Sequence, residues 1–425
     1  MREITLQEVL DAREARAAAQ RRLLDKHRRP LLCLTMNIAG PVKRWGTVDL
    51  AFRSGAAELD QRLEGRVLER ALTDAPTGLE CIWACDVPAP ELKALAMELE
   101  TRTPAGRLYD LDVIGADGVK LSRPVPRTCL VCGGPAAPCA RSRAHGLDAI
   151  LTATNALLNA FAAEHLAEAA VGALRDEVEL TPKPGLVDRR GSGAHRDMDL
   201  QLFHRSAAAL APYFREAAAL GLAADDCMPA LQRAGLRAEE AMLAATGGVN
   251  THRGAIYAFG LTLAALGGVL ARGGDLFARA AALAAAGLPP SSATHGAQMR
   301  ARYKAGGARE EALAGFPHGR AAWAALREHG GDPFPALLTL LSQVEDTNLL
   351  YRGGTEGLAF VQREAAAILA GPPKAYIPRL EALDAACVQR NLSPGGCADL
   401  LALGLLLYRT EALWIPEIAP AEEPQ

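Results

Sequence analysis

The sequence is short of the features that usually announce a function. It has almost no net charge: 46 Lys and Arg stand against 49 Asp and Glu, a formal −3 at pH 7 with a pI near 6.3. That leaves no electrostatic footprint for nucleic acid or an anionic membrane, so any phosphate binding must be local. No signal peptide is expected: the opening MREITLQEVLDAREARAAAQRRLL reads as a charged amphipathic helix, and its acids speak against a transit peptide. A cytoplasmic location is expected. Long hydrophobic runs are also scarce. One uncharged stretch of 18 residues, Gly254 to Ala271, only reaches the lower limit for a membrane span, and no second accompanies it. Its four glycines suit the central helix of a soluble bundle. There is no Walker loop, and GSGAHR lacks both the third glycine and the preceding strand of a dinucleotide fingerprint. No internal repeat is evident. The nine cysteines are odd in number and in a cytosolic chain are expected to be reduced.

What is present is enough apolar residue for two cores. At 425 residues, 50% apolar and 22% charged, the chain exceeds what one core usually serves and is not disordered. Residues 1–160 read as mixed α/β (α+β). LLCLTMNI, Leu31 to Ile38, is an apolar run stopped by Gly40-Pro41, the pattern of a buried strand entering a loop, and RLYDLDVIGADGVKL reads as two strands joined by a Gly-Ala-Asp-Gly turn. Helices are expected around Pro90 to Glu100 and from Arg141 onward. Residues 161–425 read as all-α: segments with apolar positions three and four apart, separated by Gly-rich or Pro-rich breaks such as Gly247-Gly248, Gly273-Gly274 and Pro372-Pro373.

Three clusters in the helical part carry chemistry. In VELTPKPGLVDRRGSGAHRDMD the prolines impose an extended loop that presents Lys183, followed by Asp188, Arg189, Arg190, His195 and Arg196, with Gly191 and Gly193 permitting close backbone approach to a ligand. Asp197 is expected to cap the following helix. In ATGGVNTHRGAIYAFG, Asn250, Thr251, His252 and Arg253 stand at the start of the uncharged helix, where backbone N–H groups make an anion site; a plain cap at Asn250 or Thr251 is the alternative. In QVEDTNLLYRGGTEG, Glu345, Asp346 and Asn348 are expected at the end of an apolar helix, ahead of Arg352. Acids there oppose the helix dipole, so another reason is needed, and Mg²⁺ on phosphate oxygens would supply it.

EVELTPKPGLVD, GAHRDMD, GGVNTHRGAIYAFG and DTNLLYRGG together resemble the triphosphoribosyl-dephospho-CoA synthase family, an all-α group, over roughly residues 165 to 410. The resemblance implies attack of the 2'-hydroxyl of 3'-dephospho-CoA on the ribose C1 of ATP, with loss of adenine and retention of the triphosphate. Such a step passes through an oxocarbenium-like state that carboxylates stabilise, with a base for the hydroxyl and an acid for the purine. Lys183, Arg253 and Mg²⁺ would hold the triphosphate, with Asn250, His252, Asn348 and Arg352 also on the substrate; Asp188, His195 and Asp197 are the candidates for acid–base or metal work, with Glu345 and Asp346 for metal.

In the first part, the two-residue period of RLYDLDVI puts Asp110 and Asp112 on one face of a strand, an arrangement that calls for a cation such as Mg²⁺; a solvated edge strand is the alternative. Lys43 and Arg44 in NIAGPVKR suit phosphate, as do Arg123, Arg127, Arg141 and Arg143. The spacing Cys129, Cys132, Cys139, His145 admits zinc. Against it, Cys139 and His145 lie six apart in an expected helix, about 600° of rotation and poorly aligned. MNIAGPVKR, GRLYDLDVIGADG, SRPVPRTCLVC and CARSRAHG resemble the apo-citrate lyase phosphoribosyl-dephospho-CoA transferase family over about residues 5 to 155. The resemblance implies a nucleotidyltransferase-like domain that passes the phosphoribosyl-dephospho-CoA group to a serine of the acyl carrier (gamma) subunit of citrate lyase, releasing pyrophosphate. The Gly-Ser loop of many nucleotidyltransferases is missing, and Asp86 is the third carboxylate considered. The reading is a bifunctional transferase in which one domain makes the donor the other consumes. Its rivals are the equivalent pair for malonate decarboxylase, a nucleotide-binding regulator without turnover, and a first domain that only docks the carrier.

Overall fold

The computed structural model describes residues 2–287 and 307–415. The chain divides into two compact units, Met1–Ala162 and Ala163–Gln425, and the division falls inside one helix, Leu147–Glu179.

In the first unit, β1 (Leu31–Met36) is followed by a hairpin of β2 (Val67–Ala75) and β3 (Gly78–Cys85) and by β4 (Tyr109–Ile114). Every pairing is antiparallel, in the order β2-β3-β1-β4. The unit is therefore α+β, and the α/β alternative falls, because a βαβ crossover would have made parallel neighbours. β1 is central because it is apolar on both faces. Leu32 and Leu34 join Trp83, Leu111 and Val113 beneath the helices Gly46–Arg62 and Ala89–Arg102, while Leu31 and Cys33 join Ile82, Ala84 and Ile114 against Leu23 of the helix Leu6–His27. That first helix starts where Thr5 and Glu8 form a capping box. β4 is an edge strand. Its expected partner after the turn shrinks to a single bridge, Ile114 with Lys120, because Asp117 Oδ1 accepts the Val119 N–H at 3.0 Å and closes the loop at once.

Among the described residues of the second unit the regular elements are helices, joined by turns and loops. Arg253–Arg272 is long and apolar enough to cross a membrane, yet 78% of its apolar window is buried inside the protein. The run is a core helix. It crosses Ala211–Ala223 at two glycines: a Cβ on Gly221 would lie 1.8 Å from the Ala264 carbonyl oxygen, and one on Gly267 would lie 2.4 Å from that of Ala218. The helices meet backbone to backbone there.

Replacing Gly by Ala inside a helix ordinarily stabilises by about 0.5–1 kcal/mol. Gly221→Ala should reverse that sign, costing about 1–3 kcal/mol as the helices are forced apart, and urea unfolding would measure it.

Candidate active sites

Three helices of the second unit begin at one cavity of about 1760 Å³: Arg253–Arg272, Thr347–Leu369 and Gly395–Thr410. Two aspartates, Asp346 buried and Asp399 half-buried, hold these N-termini together. Asp346 caps its own helix by accepting the N–H groups of Asn348 (2.7 Å) and Leu349 (3.1 Å) on Oδ1, and its Oδ2 accepts the N–H of Cys397 at 2.8 Å in the next. Asp399, on that second helix, accepts the Ala255 N–H of the third. The fit leaves no room for side chains: a Cβ on Gly254 would lie 2.0 Å from Asp399 Oδ2.

The electrostatics of this wall follow from burial. The Asp399 carboxyl is pushed up to about 8 by desolvation and by the charges of Glu177 and Asp346, against the pull of the Ala255 N–H. Burial likewise raises Asp346 and, despite its ion pair with Lys183, Glu177. His252 is fully buried, and burial with Lys183 nearby lowers it to about 3. Thr251 donates to Ser206 at 2.7 Å, so the Ser206 hydroxyl donates to His252 Nδ1 at 2.6 Å. The network assigns the proton to Nε2, a buried atom without a protein partner. His195 has both nitrogens engaged: Arg352 Nη2 approaches Nδ1 at 3.3 Å, and Nε2 faces Ser393 Oγ at 2.8 Å. Burial and Arg352 lower its pKa while Asp197 raises it.

The cavity thus brings together Lys183, His195, Asp197, Asn250, His252, Arg253, Glu345, Asp346, Asn348 and Arg352. Asp188 is not on its wall: it organises the loop, accepting the Lys183 N–H at 3.1 Å and the Arg190 N–H at 2.7 Å. Three local expectations are corrected. The helix Leu200–Ala209 is capped by Asp199, not Asp197. Asp346 is an N-cap, because the helix Pro333–Gln343 stops before it, so its charge favours the helix dipole instead of opposing it. Gly193, at φ 57°, meets the Leu186 carbonyl within its own loop rather than a ligand. The N-cap of Arg253–Arg272 is His252, neither Asn250 nor Thr251; Asn250, two residues ahead, accepts the Arg253 N–H on Oδ1 at 3.2 Å. Glu177, Ser393 and Asp399 were missed by sequence reasoning; a single acid inside the apolar run GGCADLLALG was the available signal for Asp399.

The first unit has a smaller cavity of about 310 Å³. Asp110 on β4 and Glu80 on β3 both reach it, on either side of Thr35 of β1, and Arg13, Arg16 and Lys43 supply positive charge. Arg16 pairs with Glu80 at 2.9 Å, and burial raises the Glu80 carboxyl. Asp112 shares the face of Asp110 but is paired with Lys120 and does not line the cavity. Arg127 lies 3.8 Å from Asp110, fixed by Glu100 at 2.6 Å and the Tyr109 carbonyl at 2.7 Å. Arg44 is turned to Asp49 and Asp74, Arg141 is exposed on the helix Ala136–Ser142, and neither lines the cavity. Asp86 lies past the far end of β3 with Arg29, so the third carboxylate considered belongs elsewhere. Arg13, Arg16 and Glu80 were missed; Arg13 and Arg16, three apart on one helix face, were the legible part.

A wall of helix N-termini with Lys183 buried beside it, Arg352 half-buried and Arg253 exposed has the donors an anionic ligand would need. Comparison with known proteins agrees. Residues 163–417 match the family of ATP:dephospho-CoA triphosphoribosyl transferases, and residues 4–161 match the apo-citrate lyase phosphoribosyl-dephospho-CoA transferases. A Haemophilus influenzae protein named CitXG is 35% identical, covering 94% of this chain and 95% of its own. A probable 2-(5''-triphosphoribosyl)-3'-dephosphocoenzyme-A synthase of Azotobacter vinelandii is 46% identical over 59% of this chain and 93% of its own, and one of Pseudomonas fluorescens Pf-5 is 45% identical over 59% and 92%. The chain belongs to the ATP:dephospho-CoA triphosphoribosyl transferase family, fused behind an apo-citrate lyase phosphoribosyl-dephospho-CoA transferase unit. It is a bifunctional transferase of citrate lyase prosthetic-group biosynthesis.

The raised Asp399 carboxyl has a stability consequence. Between 3.8, its usual value, and about 8 the folded acid keeps a proton that the unfolded one has lost. Stability therefore falls as pH rises through that window and levels off above it. Asp399→Asn lacks this slope, so its unfolding free energy should gain on wild type between pH 4 and pH 8 by on the order of a few kcal/mol. An equal difference at both pH values, from paired urea titrations, would show that Asp399 holds no such proton.

Proposed function

We propose that residues 161–425 condense ATP with 3'-dephospho-CoA in the large cavity, and that residues 1–160, as a nucleotidyltransferase-like domain, pass the product to the acyl carrier subunit of apo-citrate lyase at the small one. The observation that carries the first assignment is the convergence of three helix N-termini with Lys183, Arg253 and Arg352 on one space. That space exceeds the roughly 300–1,000 Å³ of single-ligand pockets, which suits two nucleotides at once.

In this reading the triphosphate lies along the helix N-termini, met by Arg253 and Arg352. Asp399 holds a proton at neutral pH, so it brings no charge against the phosphates and has an acid to give to the departing adenine. The Glu177 carboxylate, held by Lys183, faces the positive charge that develops at the ribose C1. Asp197, an exposed carboxylate on the wall beside His195, takes the proton of the attacking 2'-hydroxyl. His195, whose nitrogens are both occupied, positions the Arg352 guanidinium; His252 offers its Nε2–H as a neutral donor. Mg²⁺ would be held at Glu345, exposed on this wall, and would screen the triphosphate charge, while Asp346, buried and already accepting from Asn348, Leu349 and Cys397, serves as the cap. In the first unit Asp110 and Glu80 are the carboxylates placed to hold Mg²⁺, and Arg13, Arg16 and Lys43 would receive the pyrophosphate. The match of residues 4–161 favours the citrate lyase carrier over that of malonate decarboxylase.

Incubation with Mg-ATP and 3'-dephospho-CoA should release free adenine and yield a joined triphosphoribosyl product by mass spectrometry; ADP or AMP instead would overturn the reading and reopen the regulator. Arg253→Met should raise the KM for ATP by about 10- to 100-fold, the value of one charged hydrogen bond, with little change in stability. Asp110→Asn should leave adenine release intact while lowering transfer to the carrier by at least about 100-fold. Unchanged transfer would reduce the first unit to a docking module.

A further inference from the structure

We propose that Cys129, Cys132, Cys139 and His145 form a structural zinc site that folds the excursion between β4 and the helix Leu147–Glu179. The ligand atoms of all four lie within 4.8 Å of one another, and the Cys132 and Cys139 sulfurs are 3.6 Å apart. A tetrahedron with zinc–sulfur bonds of about 2.3 Å and a zinc–nitrogen bond of about 2.0 Å has edges of roughly 3.5–3.8 Å, so the cluster is near ligand spacing. His145 Nε2 is buried and has no hydrogen-bond partner.

The sequence-based objection to zinc rested on a helix that continues through His145, and it does not. The helix Ala136–Ser142 ends at Arg143 with φ 49°, and the Ala144 N–H turns back to the Cys139 carbonyl at 3.1 Å. That left-handed residue returns His145 toward the thiols. The Cys-x2-Cys half is a tight knuckle: the Gly133 N–H donates to the Cys129 carbonyl at 3.1 Å, the Cys129 N–H to the Gly134 carbonyl at 2.6 Å, and the Val131 N–H points at Cys129 Sγ at 3.4 Å. Gly133, at φ 72°, permits the turn.

A second observation stands apart from the ligands. From residue 116 to residue 153 no residue is buried, although the segment follows a defined path. Leu121 and Leu130 pack against the unit's core and Arg123 and Arg127 are tied to Glu100, but the stretch from Val131 to Gly146 buries no residue, and a cross-link or a metal would order it. A Cys132–Cys139 disulfide would leave Cys129 and His145 without a role, whereas zinc uses all four.

The test is the metal content of the full chain purified under reducing conditions from zinc-supplied cells. One zinc per chain is expected, lost in Cys132→Ser and Cys139→Ser and kept in Cys227→Ser. Cobalt added to metal-stripped, reduced protein should give tetrahedral d–d bands with thiolate charge transfer, and stripping should open residues 116–153 to protease at least about tenfold faster. Adenine release reports that the second unit of the variants is folded, and transfer to the carrier reports on the first. Zinc well below one per chain with no cobalt bands, or a Cys132–Cys139 disulfide in the native protein, would overturn the proposal whatever the activities prove to be.

Discussion

The helical unit depends on two carboxylates, Asp346 buried and Asp399 half-buried, that reach helices other than their own. Asp346 joins the N-termini of Thr347–Leu369 and Gly395–Thr410, and Asp399 joins the latter to Arg253–Arg272. Each helix start carries backbone N–H groups that must be satisfied. Satisfying them across helices, and not only within each one, brings three positive dipole ends onto one wall. The glycines at that wall follow from the same contact, since a side chain at Gly254 would displace the Asp399 carboxylate.

This arrangement carries an electrostatic conflict. Glu177 and Asp346 are buried and Asp399 is half-buried beside them, with one buried lysine, Lys183, to balance them. The conflict is eased by protonation: Asp399 is pushed up to about 8, and Asp346 and Glu177 are raised as well. A neutral carboxyl still accepts the Ala255 N–H, so the cap survives while the wall loses a charge that would repel phosphate. The small cavity of the first unit is arranged differently: its carboxylates face basic side chains from the first helix, and Glu80 is already paired with Arg16.

Much of this was legible in the sequence where one element carries the information. The alternation in RLYDLDVI placed Asp110 and Asp112 on a shared face, the apolar run at Leu31 gave the central strand, and the glycine-broken junctions marked the ends that meet at the large cavity. Reading failed where an element stops. Helical spacing gave no sign that a helix ends at Gln343 or at Ser142, so Asp346 was set at the wrong pole of a dipole and His145 was rotated away from Cys139. Partners contributed by distant elements were equally hidden: Asp399 and Glu177 look like ordinary acids until tertiary contacts bury them, and Arg13 and Arg16 like a solvated helix face.

The backbone crossing at Gly221 and Gly267 has an evolutionary side. Most core contacts can drift, because one side chain grows as its neighbour shrinks. Here there is no side chain to trade, and any larger residue must be answered by moving a whole helix. The helix that would move carries Gly267 near one end and Arg253 at the other. It acts as a lever, so tolerance for change at a contact far from the cavity is set by how much displacement the cavity wall can absorb.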